Sequence, residues 1–292
     1  MTLSVVIPTR DRAPVLTRAL DALRQQAPEE VVIVDDGSRD DTPEVIARNE
    51  WVRSVRLDGN GRSAAKNAGV EAATGEVVLF MDDDVIATEG LVARHARHHA
   101  EHPEEREALL GHVTWAPELR ITRHMRWLEQ GGPLFAYDEI ADPENVPFRM
   151  LYTANVSLKR SFLEPFDTEL PIYEDTELAY RLSKRGLRLR YDPHALGHHL
   201  REETPERTER RMEEVGRAAA ALHTKWPELY EPPPEMRMIG NVKAATARVL
   251  SRVGYRGLDD RIDDWRAARA YARGYAVGSD SRAAGGRSSG QF

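Results

Sequence analysis

Gly75-Glu76-Val77-Val78-Leu79-Phe80-Met81-Asp82-Asp83-Asp84-Val85 sets an uncharged apolar run of strand length directly before three consecutive carboxylates. Apolar residues at consecutive positions, with no polar alternation, suit a strand covered on both faces. Such strands belong mainly to parallel sheets flanked by helices. The three acids then stand at the strand's carboxyl end, where open α/β sheets bind their ligands. Like charges so close together repel unless a cation or hydrogen-bond donors compensate them. Hard oxygen ligands on a short loop suit Mg²⁺ or Mn²⁺, which join one or two carboxylates to a substrate's phosphates. A solvated acidic turn would leave the same trace, so the rest of the chain has to decide.

Upstream, the same unit occurs twice. Leu3 to Ile7 is a short apolar strand stopped by Pro8 and followed by the polar Thr9, Arg10 and Asp11, after which Val15, Leu16, Ala19, Leu20 and Leu23 recur at helical spacing. Val31 to Val34 is a second strand ending in Asp35, Asp36, Gly37 and Ser38, with Thr42 as helix N-cap and Pro43 in the first turn. Val52 to Leu57 reads as a third strand, Asn60-Gly61 as a turn, and Ser63 to Ala73 as a helix closed by Gly75; Thr88 can cap the next helix. This alternation predicts a twisted, mostly parallel sheet with helices on both faces, and it brings Thr9, Asp36 and Asp84 to one edge.

The second half is less regular. Leu109 to Trp115, Leu151 to Lys159, Leu187 to Tyr191 and Ala195 to His199 have strand character, whereas Thr122 to Glu129 and the stretch from Tyr173 to Gly186 are helical. Gly131 to Phe148 is a long loop of the kind that forms lids or binding segments, or is disordered. Helices are expected near 206–226, 236–253 and 258–276, as an extension over 201–277, followed by a disordered tail over 278–292. The catalytic domain would then cover 1–200.

The 292 residues suffice for a sizeable core, and a formal charge of -7 argues against a general nucleic-acid partner. Leu3 to Ile7 is too short for a signal peptide, and no run is long enough to span a membrane. With no cysteine, disulfides, zinc thiolate sites and thiol catalysis are excluded, in agreement with a cytoplasmic setting.

Four stretches, SVVIPTRDR from Ser4, VVIVDDGSRDDT from Val31, NGRSAAKNAGVEAATGEVVLFMDDD from Asn60 and YEDTELAYRLSKRG from Tyr173, together resemble family 2 glycosyltransferases of the GT-A fold, a Rossmann-like architecture. The resemblance runs from Leu3 to about His199. It implies a nucleotide-sugar-dependent, hexosyltransferase-type enzyme. Such an enzyme moves a sugar from a nucleoside diphosphate donor of UDP or GDP type to an acceptor hydroxyl on a glycan, a lipid-linked carrier or a small molecule. It also implies inversion at the anomeric carbon.

Residue by residue, the resemblance places Pro8, Thr9 and Asp11 in the nucleotide pocket, with Asp36 on the base and Asp35 nearby. In any doubly wound protein Asp35 to Ser38 would also serve as turn chemistry. Lys66 and Asn67 match basic and amide positions where a cation contacts the diphosphate; alone they would be a solvated helix face. Asp82 and Asp84 match the family's Asp-any-Asp motif, with Asp83 between them. Asp84 is the implied ligand of a Mn²⁺ or Mg²⁺ ion and Asp82 reaches the ribose, or the metal through water. His199 completes the coordination, with His198 as its one-residue alternative. Asp175, after Glu174 at a helix start, is the implied general base, where the helix dipole favours a carboxylate. Glu174, Asp175 and Glu177 would otherwise be ordinary first-turn acids. The Glu164-Pro165-Phe166-Asp167 stretch lacks the glycines that often precede the Phe-Asp pair, which leaves the acceptor loop's shape open.

Trp115, Trp127, Glu129, Tyr152 and Glu174 are acceptor candidates, although aromatics are more often core. His95, His98, His99 and His102 lack a zinc-protease arrangement and read as a solvated helix face. Over 236–256 there are five cations and no acid, interleaved with apolar residues. That segment could rest on an anionic membrane, at the inner face, or pack on the catalytic domain. Other readings remain. A nucleotidyltransferase would need a glycine-rich loop that Pro8 to Arg12 lacks. A phospho-receiver domain would leave Asp175 unexplained, and a sugar-binding protein without activity would not need its acid motifs intact.

Overall fold

Four strands form the parallel half of an eight-stranded sheet: β1 (Leu3–Thr9), β2 (Glu30–Asp35), β3 (Arg53–Arg56) and β4 (Val77–Met81). They lie side by side as β3-β2-β1-β4. The helices between them are α1 (Ala13–Gln25), α2 (Thr42–Arg48) and α3 (Arg62–Ala72). Two crossovers step one way along the sheet and the third steps back, so right-handed connections put α1 and α2 on one face and α3 on the other. Strands covered on both faces need no polar alternation. Val5 to Ile7, Val31 to Val34 and all of β4 are buried accordingly. Gly69 lets α3 lie close to the sheet, because a Cβ there would collide with Val6 and press on Val34.

The computed structural model describes residues 1–130, 133–229 and 258–285. Beyond β4 the sheet becomes mixed. β7 (Asn155–Lys159) runs antiparallel to β4 and to β6 (Glu107–Trp115), β8 (Arg188–His199) is parallel to β6, and the short β5 (Val85–Ala87) closes the edge antiparallel to β8. The two closing strands expected at Leu187–Tyr191 and Ala195–His199 are one strand, interrupted by a bulge that skips Pro193, His194 and Ala195 opposite Gly111/His112. α4 (Leu91–Glu101) and α6 (Glu174–Lys184) complete this half.

Two expected caps differ. Asp41 occupies the N-cap of α2, and the Thr42 hydroxyl is engaged with Asp40 and with the Arg12 amide. Gly90 precedes α4, while Thr88 donates to the Leu196 carbonyl.

The histidines of α4 do not form a solvated face. His95 and His99 are fully buried, and Ser157 Oγ lies 2.8 Å from His95 Nδ1 and 2.8 Å from His99 Nε2. Asn155 Oδ1 is 2.9 Å from His95 Nε2, and its amide donates to the carbonyls of His112 and Ala195 across the β8 bulge. Burial holds His95 down to about 4 and His99 down to about 2, so both are neutral.

The chain divides into two units, Met1–Arg120 with Tyr137–Arg201, and Ile121–Ala136 with Glu202–Phe292. Ile121–Ala136, which the sequence reading keeps in the catalytic domain, thus groups with the later helices. In that second unit α5 (Arg123–Glu129), capped by Thr122, joins α7 (Pro205–Lys225) and α8 (Leu258–Gly285). His124 Nε2 lies 2.8 Å from Thr208 Oγ1 and its Nδ1 3.3 Å from Asp263, which also pairs with Arg123. α8 continues to Gly285, past Gly278 where the tail was expected. The basic segment over 236–256 lies outside the described residues.

Candidate functional site

β1, β2 and β4 deliver their polar loops to one edge. Thr9 Oγ1 donates to Asp83 Oδ2 at 2.7 Å. From the following loop Arg12 donates to Asp84 Oδ2 at 2.7 Å and stands 3.5 Å from Asp83 Oδ1. The third partner comes from the sheet edge: β5 pairs with β8 in the register Val85↔His199, and His199 Nε2 lies 3.3 Å from Asp84 Oδ1. Of the two adjacent histidines, His199 is therefore the one beside Asp84. Trp115 packs against its ring at 5.5 Å.

The neighbouring carboxylates are driven apart in proton affinity. Burial and the Asp84 charge push Asp83 up to about 7, against the Thr9 hydrogen bond and Arg12. Burial would raise Asp84 too, but the His199 hydrogen bond and the charges of His199, Arg12 and Arg201 hold it down to about 2. The compensation demanded by three like charges is thus built from Thr9, Arg12 and His199. Asp82 is the half-buried member of the triplet.

A second acid pair opens α6. Its N-cap is Tyr173, in the left-handed region at φ 70°, a conformation uncommon for a tyrosine. Glu174 is 3 % exposed and accepts from Lys66 Nζ at 2.8 Å, whereas Asp175 is half-buried and takes the Thr176 amide at 2.8 Å. Burial and the Glu174 charge raise Asp175 to about 6, offset in part by Lys66 and Arg62. For Glu174 burial is outweighed by Lys66 and Arg62, so its affinity falls. Adjacent carboxylates with opposite shifts mark acid and base assignments in enzyme sites.

Arg62 links the two acid sets. It is an exposed residue opening α3, and what desolvation would take from its proton affinity is outweighed by the charges of Glu174, Asp82, Asp175 and Asp83, which raise it. The two acid sets are also joined by direct contacts: the Asp82 amide donates to the Ala154 carbonyl at 3.4 Å, and the neighbouring Thr153 shares Lys66 Nζ with Glu174.

Several of the expected residues hold contacts within the protein. Lys66, expected on the diphosphate, is 1 % exposed and spent on Glu174 and on Thr153 Oγ1 at 2.5 Å. Asn67, expected beside it, clamps the Phe166 backbone with its amide at 2.9 and 2.7 Å. Asp35 accepts the Ser38 amide at 2.8 Å and pairs with Arg56, which is turn construction. Asp36 accepts the amides of Asn60 and Gly61 at 2.7 and 3.0 Å and so staples the loop after β2 to the entry of α3. Asp11, at φ 53°, accepts the Arg39 amide at 2.7 Å, and Pro8 lies within β1 opposite Val34.

Among the acceptor candidates, Tyr152 is half-buried with its ring 5.8 Å from that of Tyr137, which stacks on Tyr191 at 5.6 Å. Trp127 and Glu129 lie on α5 in the helical unit, where the Trp127 indole donates to Asp264 at 2.9 Å instead of standing free for a sugar. Arg12 and Arg62 carry charge at the site without having been singled out in sequence. The signal was present: acids this dense need cations, and both arginines fall inside the quoted motifs.

A family model described as Glycosyl transferase family 2 matches residues 4–164. The uncharacterized glycosyltransferase YwdF of Bacillus subtilis is 30% identical over 196 residues, which cover 63% of this chain and 69% of that protein. Validoxylamine A glucosyltransferase of Streptomyces hygroscopicus subsp. limoneus is 29% identical over 229 residues, which cover 63% of this chain but only 48% of the relative. The crystal structure of S. aureus TarS 1-349 in complex with UDP-GlcNAc superposes with a TM-score of 0.55 at 19% identity, over 98% of this chain and 92% of that one. At that identity the likeness concerns the fold.

Proposed function

Because the chain belongs to glycosyl transferase family 2, we propose that it transfers a sugar from a nucleoside diphosphate sugar to an acceptor hydroxyl with inversion, and that a divalent cation assists. The observation that carries this reading is a chain of contacts from the triplet Asp82 to Asp84 to the pair Glu174-Asp175: the Asp82 amide donates to the Ala154 carbonyl, and the neighbouring Thr153 shares Lys66 with Glu174. It supports a donor-phosphate end and a proton-accepting end in one site. The UDP and UDP-GlcNAc complexes of TarS make a uridine diphosphate sugar the first donor to test.

Among the described residues no group of three or more His, Asp or Glu is placed to hold an ion. Asp84 Oδ1 and His199 Nε2, 3.3 Å apart, are two donors, and that count fits an ion completed by substrate phosphates and water. Asp84 and His199 would hold it, and when bound Mn²⁺ or Mg²⁺ would neutralise the diphosphate and stabilise its departure. Arg12 holds Asp84 ionised and oriented. Arg62 supplies a positive charge that acts on both acid sets. Asp175 accepts the acceptor's hydroxyl proton. With an affinity near 6 it is ionised at neutral pH and still basic enough to act. Attack from the side opposite the diphosphate then inverts the anomeric centre. Tyr152 is the aromatic surface offered to an acceptor ring.

No helix among the described residues is long and apolar enough to cross a membrane. A cytoplasmic enzyme resting on the inner membrane face through 236–256 is part of the proposal, and sedimentation with anionic vesicles tests it.

The deciding experiment is a thermal-shift panel of UDP, GDP and dTDP with their sugar conjugates, each with Mn²⁺, Mg²⁺ or chelator. Ligands that bind only the native state raise the melting temperature. A rise with one nucleotide class that chelator or Asp84→Ala abolishes, and that Asp175→Asn keeps while transfer is lost, is the expected result. A folded protein that shifts with none of them overturns the donor site.

A further inference from the structure

The base assigned above is flanked by a buried ion pair that the reaction as written does not use. Lys66 Nζ lies 2.8 Å from Glu174 Oε1 and 2.5 Å from Thr153 Oγ1, with the Phe166 ring 5.1 Å away. Lys66, Glu174 and Thr153 are all nearly inaccessible to water. Removing two charges from water costs about as much as their attraction returns, and apolar residues of equal volume often serve stability as well or better. Stability therefore does not account for the pair.

Its location does. Ser63, Lys66 and Asn67 lie on one face of α3, at spacings of three and four residues. Ser63 Oγ donates to the Leu170 carbonyl at 3.3 Å, Lys66 holds Glu174, and Asn67 clamps Phe166. These contacts fix the segment that leads into α6 and the first residue of that helix. Asp175 is the next residue, two positions after the left-handed Tyr173.

We propose that Lys66 and Glu174 are positioning residues for Asp175, a buried charge pair that fixes where its carboxylate points and how readily it takes a proton. The inference rests on Asp175 being the base. The groups that act on Asp175 are Glu174 and the Thr176 amide from its own helix, and Lys66 and Arg62 from α3; Arg62 in turn interacts with Asp82 and Asp83. Glu174 makes the Asp175 proton harder to lose, and Lys66 and Arg62 make it easier. The Lys66-Glu174 pair has no net charge, yet its halves pull in opposite directions.

That opposition gives a test that a merely structural role would not pass. In the full chain carrying [¹³Cγ]-aspartate, the Asp175 resonance is assigned by its loss in D175N. Its titration midpoint is then compared with the acid limb of kcat/KM for transfer, in the parent, E174Q, K66M and K66M/E174Q. A single neighbouring charge moves a carboxylate by about one pH unit or more. E174Q should move midpoint and limb down by about that much, K66M should move both up, and the double variant should return them to within a few tenths of the parent.

Midpoints that stay put in E174Q overturn the inference, as does a common loss of rate on an unchanged acid limb. Midpoints that move while the limb does not would remove Asp175 as the base, and the inference with it. An inactive parent whose midpoints move would instead fault the transfer reading, since the titration needs no turnover. Should K66M fail to fold, Lys66→Arg, which keeps the charge and should keep the parent's midpoint, carries the comparison with E174Q.

Discussion

Replacing Asp175 with Asn should inactivate the protein and make it more stable, with a gain that depends on pH. In the folded chain the carboxyl is raised from 3.8 to about 6, first by burial and then by the Glu174 charge. An acid whose folded affinity exceeds its unfolded one keeps its proton longer when native. The native state therefore loses stability as pH rises from about 4 to 6, and the whole penalty is present above 6. At full strength a shift of this size is worth about 3 kcal/mol. Asp175 is only half-buried, and discounting for solvent screening leaves about 1–2 kcal/mol. Asparagine carries no charge and can still accept the Thr176 amide.

D175N should therefore match the parent at pH 4 and exceed it by about 1–2 kcal/mol at pH 8. That gain corresponds to a rise in Tm of roughly 3–6 °C in a chain of this size. Urea unfolding at pH 4, 6 and 8, beside a transfer assay, measures both effects. Equal gains at pH 4 and pH 8, or a variant less stable than the parent at pH 8, would refute the electrostatic reasoning. Retained transfer would refute the role of the residue. The expected pattern is that of a site holding a group where reaction, not folding, needs it.

Other outcomes follow from particular contacts. Gly69→Ala should cost about 1–3 kcal/mol in urea unfolding, because its Cβ would overlap Val6 at the crossing of α3 and the sheet; an unchanged midpoint would mean that α3 can back away. His95→Leu should cost about 1–3 kcal/mol by leaving Asn155 Oδ1 buried without its partner, while the acid limb of transfer stays that of the parent; a moved limb would tie this core network to the base. Thr9→Val should lower stability at neutral pH by about 1 kcal/mol or more, since the Asp83 carboxylate loses its buried hydroxyl donor. Unaltered unfolding curves would mean that Arg12 alone suffices.

The sheet and the acid-bearing edge were legible because they follow from local pattern. An unbroken apolar run of five residues ending in three acids can hardly be buried in any other way, and the repeated strand-loop-helix order dictates the parallel half. The antiparallel insertion of β7 between β4 and β6 was not legible, since short apolar runs do not state their partners. The same limit hides long-range partners. Lys66 looks like an ordinary helix-surface cation until Glu174, 108 positions away, comes to meet it. His95 and His99 look solvated until Asn155 and Ser157 arrive from about 60 positions away. Asp175, by contrast, is singled out by motif, but its elevated proton affinity depends on burial and on a neighbour already paired elsewhere.

The bulge in β8 acts as a ruler for the site. Gly111 pairs with Asp192 and His112 with Leu196, so Pro193 to Ala195 are left out, and from there the count brings His199 opposite Trp115 and Val85. A chain one residue longer at this point would deliver His198 to Asp84, and one residue shorter would deliver Leu200. Within this lineage the length of that three-residue detour should resist insertion and deletion more strongly than its residue identities resist exchange. An engineer transplanting the Asp84-His199 pair would have to carry the detour with it.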